Sequence, residues 1–209
     1  MTTRPIVDAG PALNFFAAGH ERLFFACMGG VSVPETVRDE VLGKAARDSR
    51  FQHAQRVVSK LPEQLWQVLP DTVTSDLDQV IVRLERMPMT QRLRTRRDLG
   101  ETMVIAHAVA AAQKGQEVWI LIDEIRGTQV ASAEKRRLER LRHGDSSVGA
   151  LKIMSTEQVL EAAVSRGLME NRGSMRKIYT QLRSLDDGLP PIESTGLLTK
   201  ELWRRSPPA

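Results

Sequence analysis

Residues 4–16 read RPIVDAGPALNFF. The short apolar run halts at Asp8, and Gly10-Pro11 follow at once. A carboxylate where a buried strand ends and a helix begins has an ordinary explanation, since Asp is a favoured helix N-cap and Pro suits the first helical turn. The chain repeats the arrangement at 118–127, VWILIDEIRG, where an apolar strand runs into Asp123 and Glu124. In open α/β sheets ligands bind outside the carboxyl ends of the strands. Acids at two such ends are therefore expected to share a site.

Working outward, short apolar strands alternate with helices. Strands are expected at 5–7, 31–33, 65–69 (LWQVL), 117–122 and 150–154 (ALKIM). The first helix, PALNFFAA, ends near Gly19. PETVRDEVLGKAA has a proline opening and helical spacing at Val37, Val41 and Ala45. A polar helix follows over about 46–60, and another over 75–86. DLGETMVIAHAVAAAQKG is an Ala-rich helix with Gly115 as its stop signal, and a basic helix runs to about Arg142. STEQVLEAAVSRGL is a helix with a Ser155–Gln158 capping box. MPMTQRLRTRR (87–97) reads as an exposed loop and LDDGLPPIES (185–194) as a linker. TGLLTKELW reads as a last short helix packing through Leu198 and Leu202. Strands apolar on both faces and joined by helices mean a parallel α/β sheet with helices on each side.

Composition bounds the function. The 209 residues suffice for one domain with an appendage. Aromatics at 4% disfavour a base-stacking platform, and the single cysteine, Cys27, excludes an intrachain disulfide or a Cys-based metal site. The start MTTRPIV lacks a signal-peptide core, and LFFACMGGVSV falls short of the ~20 residues that span a bilayer. A soluble, cytoplasmic protein is expected. The net charge of +4 is less telling than its distribution. Arg83, Arg86, Arg92, Arg94, Arg96 and Arg97 crowd one segment; Lys135, Arg136, Arg137, Arg140 and Arg142 form a second. Both are either solvated helix faces or contacts for a polyanion.

Four acids stand at strand ends or inner helix edges. Glu40 flanks the Val37/Val41 stripe, as a rim glutamate or as a site residue. Glu101 shares a face with Ile105, Ala108 and Ala112; its spacing from Asp98 also fits a capping box, and the two roles are compatible. Asp123 is taken as the principal ligand of its pair, with Glu124 a second ligand or an orienter; the alternative is that Asp123 caps the next helix. Carboxylates brought together raise one another's pKa unless a cation neutralises them. Oxygen-only ligation selects magnesium or manganese, and such a site activates water against a phosphoryl group. No G-x-G-x-x-G, Walker A or G-x-S-x-G motif is present. His20, His53, His107 and His143 show no metal-ligand spacing and are read as non-catalytic.

IVDAGPALNFF, VPETVRDEV, DLGETMVIAHAVA and WILIDEIRGTQVA, in that order, resemble the PIN-domain nucleases over roughly residues 4–170. The likeness is nearest the VapC-like toxins of bacterial toxin–antitoxin pairs. The resemblance implies a Rossmann-like parallel sheet and an Mg2+- or Mn2+-dependent endoribonuclease acting on RNA. It further implies a frequent homodimer and, for a toxin, a cognate antitoxin protein. Asp8, Glu40, Glu101 and Asp123 fall on the family's acidic quartet, and Glu124 on the second acid of a paired motif. Asp8, Glu101, Asp123 and Glu124 are thereby the expected metal ligands. Gly10 stands where many members carry Ser or Thr. Arg94, Arg96, Arg97 and Arg126 are the expected phosphate contacts. Residues 1–170 are read as the PIN-like domain and 171–209 as a C-terminal helical extension. The rival readings are a PIN-fold protein that binds nucleic acid or regulates without cleaving, and a metal-dependent phosphatase.

Overall fold

The computed structural model describes residues 4–186 and 188–204. Its first half runs β1 (Ile6–Val7), α1 (Ala9–Ala17), α2 (Glu21–Met28), β2 (Val31–Pro34), α3 (Glu35–Arg47), a 3-10 turn (Ser49–Phe51), α4 (Gln52–Val58), β3 (Trp66–Leu69), α5 (Ser75–Glu85) and α6 (Met89–Arg92). The second half runs α7 (Leu99–Gln113), β4 (Glu117–Leu121), α8 (Ile125–Gly144), β5 (Ala150–Met154), α9 (Thr156–Ser165), α10 (Arg172–Leu185), a 3-10 turn (Ile192–Ser194) and α11 (Lys200–Arg204).

The five strands form one wholly parallel sheet in the order β3-β2-β1-β4-β5. The chain leaves β1 toward β2 and β3 on one side, then returns to β4 on the other. The order therefore reverses between β1 and β4, where a ligand crevice opens at the strands' carboxyl ends. Ile6 pairs with Ile120 and Val7 with Leu121, and the Asp8 N–H donates to the Leu121 carbonyl at 3.0 Å. Asp8 is thus fixed beside the residues that follow β4.

Helix α7 packs on β4, β1, β2 and β5 and is covered by α3, α5 and α8. That explains its composition: enclosed on nearly every side, it needs small residues, and Ala106, Ala108 and Ala112 are fully buried. It stops at Gly115, whose φ of +89° is the left-handed conformation that favours glycine. The Ser155–Gln158 capping box opens α9 as expected.

Two stretches depart from the sequence reading. Residues 87–97 are not simply an exposed loop. Met89–Arg92 form α6, with Met89 buried and its N–H donating to Asp78 Oδ1 at 2.7 Å. The linker expected at 185–194 is packed: Leu189 and Ile192 are buried, and Asp186 Oδ2 accepts from Asn14 Nδ2 at 2.7 Å. Residue 187 within it, like 1–3 and 205–209, lies outside the described residues. Helix α10, in the C-terminal extension, buries Met175, Tyr179 and Leu182 at helical spacing against the core shared by the sheet. Leu198 and Leu202 pack against that core as expected. Among the described residues, no helix is long and apolar enough to cross a membrane.

Candidate functional site

A pocket of about 480 Å³ opens at the carboxyl ends of β1 and β4. Asp8, Glu40, Glu101 and Glu124 line it, together with Asp39, Asp98, Thr36 and Arg96. Each acid arrives from a different element: Asp8 ends β1, Glu40 lies in α3, Glu101 in the first turn of α7, and Glu124 stands just before α8.

Asp8 occupies the N-cap position of α1, yet its carboxylate makes no capping bond. It is only 8% exposed, and its pKa is pushed up to about 7. Burial is the main cause, offset in part by the Ala9 N–H and reinforced by Glu40, Glu101 and Glu124. Glu101 is also pushed up to about 7, first by burial and then by Glu124 and Asp98, with Arg126 opposing. Glu40 is raised too, mainly by desolvation. The residue as a whole is exposed and lines the pocket.

The capping alternative for Glu101 does not hold. Asp98 sits in a left-handed conformation, makes no cap bond, and pairs instead with Arg126 and, at 3.6 Å, with Arg97. Glu101 Oε1 is buried without a hydrogen-bond partner, as is Thr36 Oγ1. A buried carboxylate oxygen left unpaired is costly in a folded chain. Two glycines make the acids' approach possible. A Cβ on Gly100 would lie 2.8 Å from Glu40 Oε2 and 3.9 Å from Asp8 Oδ1, and one on Gly127 would collide with Glu101 Oε1.

Asp123 is placed differently from Asp8, Glu40, Glu101 and Glu124. Its Oδ1 accepts from the Thr156 N–H at 2.7 Å and its Oδ2 from the Thr156 hydroxyl at 2.6 Å. The side chain thus ties the end of β4 to the start of α9 and does not line the pocket. Burial pushes its pKa up to about 6, opposed by the two Thr156 bonds and aided by Glu157 and Asp186. Consecutive residues leaving a strand point opposite ways, and Glu124 is the one that faces the site. Asp123 does not cap α8, the helix that follows it; both its oxygens go to Thr156, the first residue of α9.

The expected arginines separate likewise. Arg96 lines the pocket, and Arg94 and Arg97 are exposed on the same loop. Arg126 is engaged with Asp98. In the second basic cluster Arg137 shares Glu134 with Arg83, whereas Lys135, Arg136, Arg140 and Arg142 are exposed. His107 pairs with Asp71, whose other oxygen accepts the Thr36 N–H at 2.7 Å, and His20 bonds Gln181. Asp39 and Asp98, neither of them an expected ligand, also line the pocket. Asp98 had a signal, three residues before Glu101, but the capping pattern absorbed it.

Among the described residues, no three His, Cys, Asp or Glu side chains are gathered tightly enough to form a ready-made ion cage. The four carboxylates line the walls of one pocket instead. The donor set is nonetheless all oxygen and includes one buried, unpaired carboxylate oxygen. In general, magnesium takes oxygen donors of this kind, one or two carboxylates with several waters retained. No protein-family model, curated protein or solved structure matches the chain.

Proposed function

We propose that this protein is a metal-dependent endoribonuclease with a PIN-like fold, and that it is the toxin half of a toxin–antitoxin pair. The observation that carries the metal-site reading is the gathering of Asp8, Glu40, Glu101 and Glu124 on one pocket at the switch of strand order, with Glu101 Oε1 buried and unpaired. The ordered motifs of the sequence supply the ribonuclease and toxin part, together with the homodimer, the cognate antitoxin and the cytoplasmic setting.

Asp8, Glu101 and Glu124 are the residues that would hold Mg2+ or Mn2+, Glu124 taking the place first given to Asp123. Such an ion, when bound, lowers the pKa of a water and offsets negative charge at phosphorus. Glu40, in the lining of the same pocket, accepts a hydrogen bond from the attacking water and orients it. Arg96, on the same wall, holds a phosphate oxygen of the chain to be cut. With Asp8 and Glu101 both raised to about 7, the unfilled site is partly protonated at neutral pH. Cation binding must then displace protons, so affinity rises with pH.

The test is cleavage of single-stranded RNA by the purified protein in Mg2+, Mn2+ or EDTA, beside Asp8→Asn and Glu124→Gln prepared identically. The expected result is metal-dependent cutting, lost in EDTA and in both folded variants. Parental rates in the variants refute the site. RNA binding with no metal-dependent cutting favours the non-catalytic nucleic-acid-binding reading.

A further inference from the structure

Arg92 is buried, at 4% exposure, beside the exposed Arg94, Arg96 and Arg97. Its guanidinium is spent on the loop that follows. Nη1 donates to the Thr95 carbonyl at 2.6 Å; Nη2 donates to the Arg97 carbonyl at 2.8 Å and to Thr102 Oγ1 at 3.0 Å. Glu85 Oε1 lies 3.7 Å from Nε and balances the charge. The Thr102 hydroxyl in turn donates toward the Asp98 carbonyl at 2.8 Å, with Glu85 Oε1 at 3.1 Å. One side chain therefore holds the carbonyls of residues 95 and 97 and fastens that loop to the first turn of α7, where Glu101 stands.

What that loop carries matters. Arg94, Arg96 and Arg97 project from it, and Arg96 reaches the wall of the acidic pocket. Like charges on a free loop would spread apart and lose their common direction. A loop carbonyl held by a buried guanidinium cannot move without stranding that charge, and such charges are strongly destabilising when unpaired. We propose that Arg92 is a positioning residue. It fixes the 93–98 loop as an anion-holding arm, so that Arg96 and its exposed neighbours grip the phosphate backbone of the RNA next to the carboxylates. The proposal rests on the ribonuclease reading for the identity of the anion, but not for the fixing of the loop.

Limited trypsin digestion of the full chain tests the fixing directly, because Arg94, Arg96 and Arg97 are themselves cleavage sites. In Arg92→Met these sites should be cut on the order of tenfold faster than in the parent while the rest of the chain stays protected, since digestion tracks the population of the opened loop. Arg92→Lys, which keeps the charge with fewer donors, should fall between. On RNA, Arg92→Met should raise KM with kcat within about threefold. It should also lower the log–log salt dependence of binding by about 0.7 for every phosphate that the loop no longer holds. Arg96→Ala should cost less affinity in the Arg92→Met background than in the parent, because residues acting through one another are not additive. Unchanged digestion at 94–97, or strictly additive losses, overturns the proposal. A protein that cuts no RNA overturns the ribonuclease reading while digestion still decides the loop. If Arg92→Met does not fold, Arg92→Lys and Thr102→Val undergo the same measurements and decide between the same outcomes.

Discussion

Replacing Gly127 by alanine puts helix propensity against the site. Gly127 lies in the first turn of α8, where alanine normally stabilises a helix by roughly 0.5–1 kcal/mol. Here the new Cβ would collide with Glu101 Oε1 and Ile122 Cδ1 and stand 2.8 Å from Glu101 Cδ. Ordinary contact begins near 3.4 Å, so the carboxylate must retreat by roughly 1 Å or more while a buried isoleucine also shifts. Overpacking of this kind costs about 1–3 kcal/mol and outweighs the propensity gain. The expected net loss is about 1–2 kcal/mol, a fall in Tm of a few degrees for a chain of this size. Displacing a site carboxylate by about 1 Å should cost on the order of 100-fold in RNA cleavage. Gly43→Ala is the control, since its Cβ meets only the flexible Arg47 side chain, at 3.4 Å; it should hold or raise the Tm and keep activity. The measurements are thermal melts with and without Mn2+ and initial cleavage rates. If Gly127→Ala melts higher than the parent and cuts at the parental rate, Glu101 is not seated against α8 as described.

Three further outcomes are expected. Folded-state pKa values raised to about 7 for Asp8 and Glu101 and about 6 for Asp123 mean that the native chain holds more protons than the unfolded one between about pH 4 and 7. Stability of the metal-free protein should therefore fall by a few kcal/mol, order of magnitude, as pH rises through that window, and saturating Mn2+ should flatten the fall; a metal-free Tm that climbs with pH contradicts it. Asp123→Ala strands the Thr156 N–H and should lose about 1–3 kcal/mol while keeping the metal-induced rise in Tm, whereas Glu124→Ala should do the reverse; equal loss of metal response in both returns Asp123 to the ligand set. Arg96→Ala should reduce the salt dependence of RNA binding by about 0.7, and Arg126→Ala, whose guanidinium is committed to Asp98, should leave it unchanged; identical slopes for the two variants count against that division.

The alternation of apolar runs with helical stretches determined the parallel α/β sheet, because strands buried on both faces must be apolar throughout. The halting of two such runs at acids determined that Asp8 and the 123–124 pair lie at strand ends, since that is a matter of position along the chain. Spacing along α3 and α7 likewise set Glu40 and Glu101 beside apolar stripes. Which of Asp123 and Glu124 faces the pocket was not decided by sequence. Neighbouring side chains diverge, and the choice depends on Thr156, thirty-three residues on, offering two donors to Asp123. The same holds for Arg126, removed from the expected phosphate contacts by Asp98, and for Arg92, turned inward by carbonyls of its own loop. It holds again for the 185–194 stretch, whose linker-like composition conceals Asp186 bonding to Asn14 across 172 residues. Periodicity and caps are local and can be read from a few consecutive residues. Where a charged side chain finds its partner depends on which distant donors the closed fold brings within about 3 Å, and only the tertiary structure decides that.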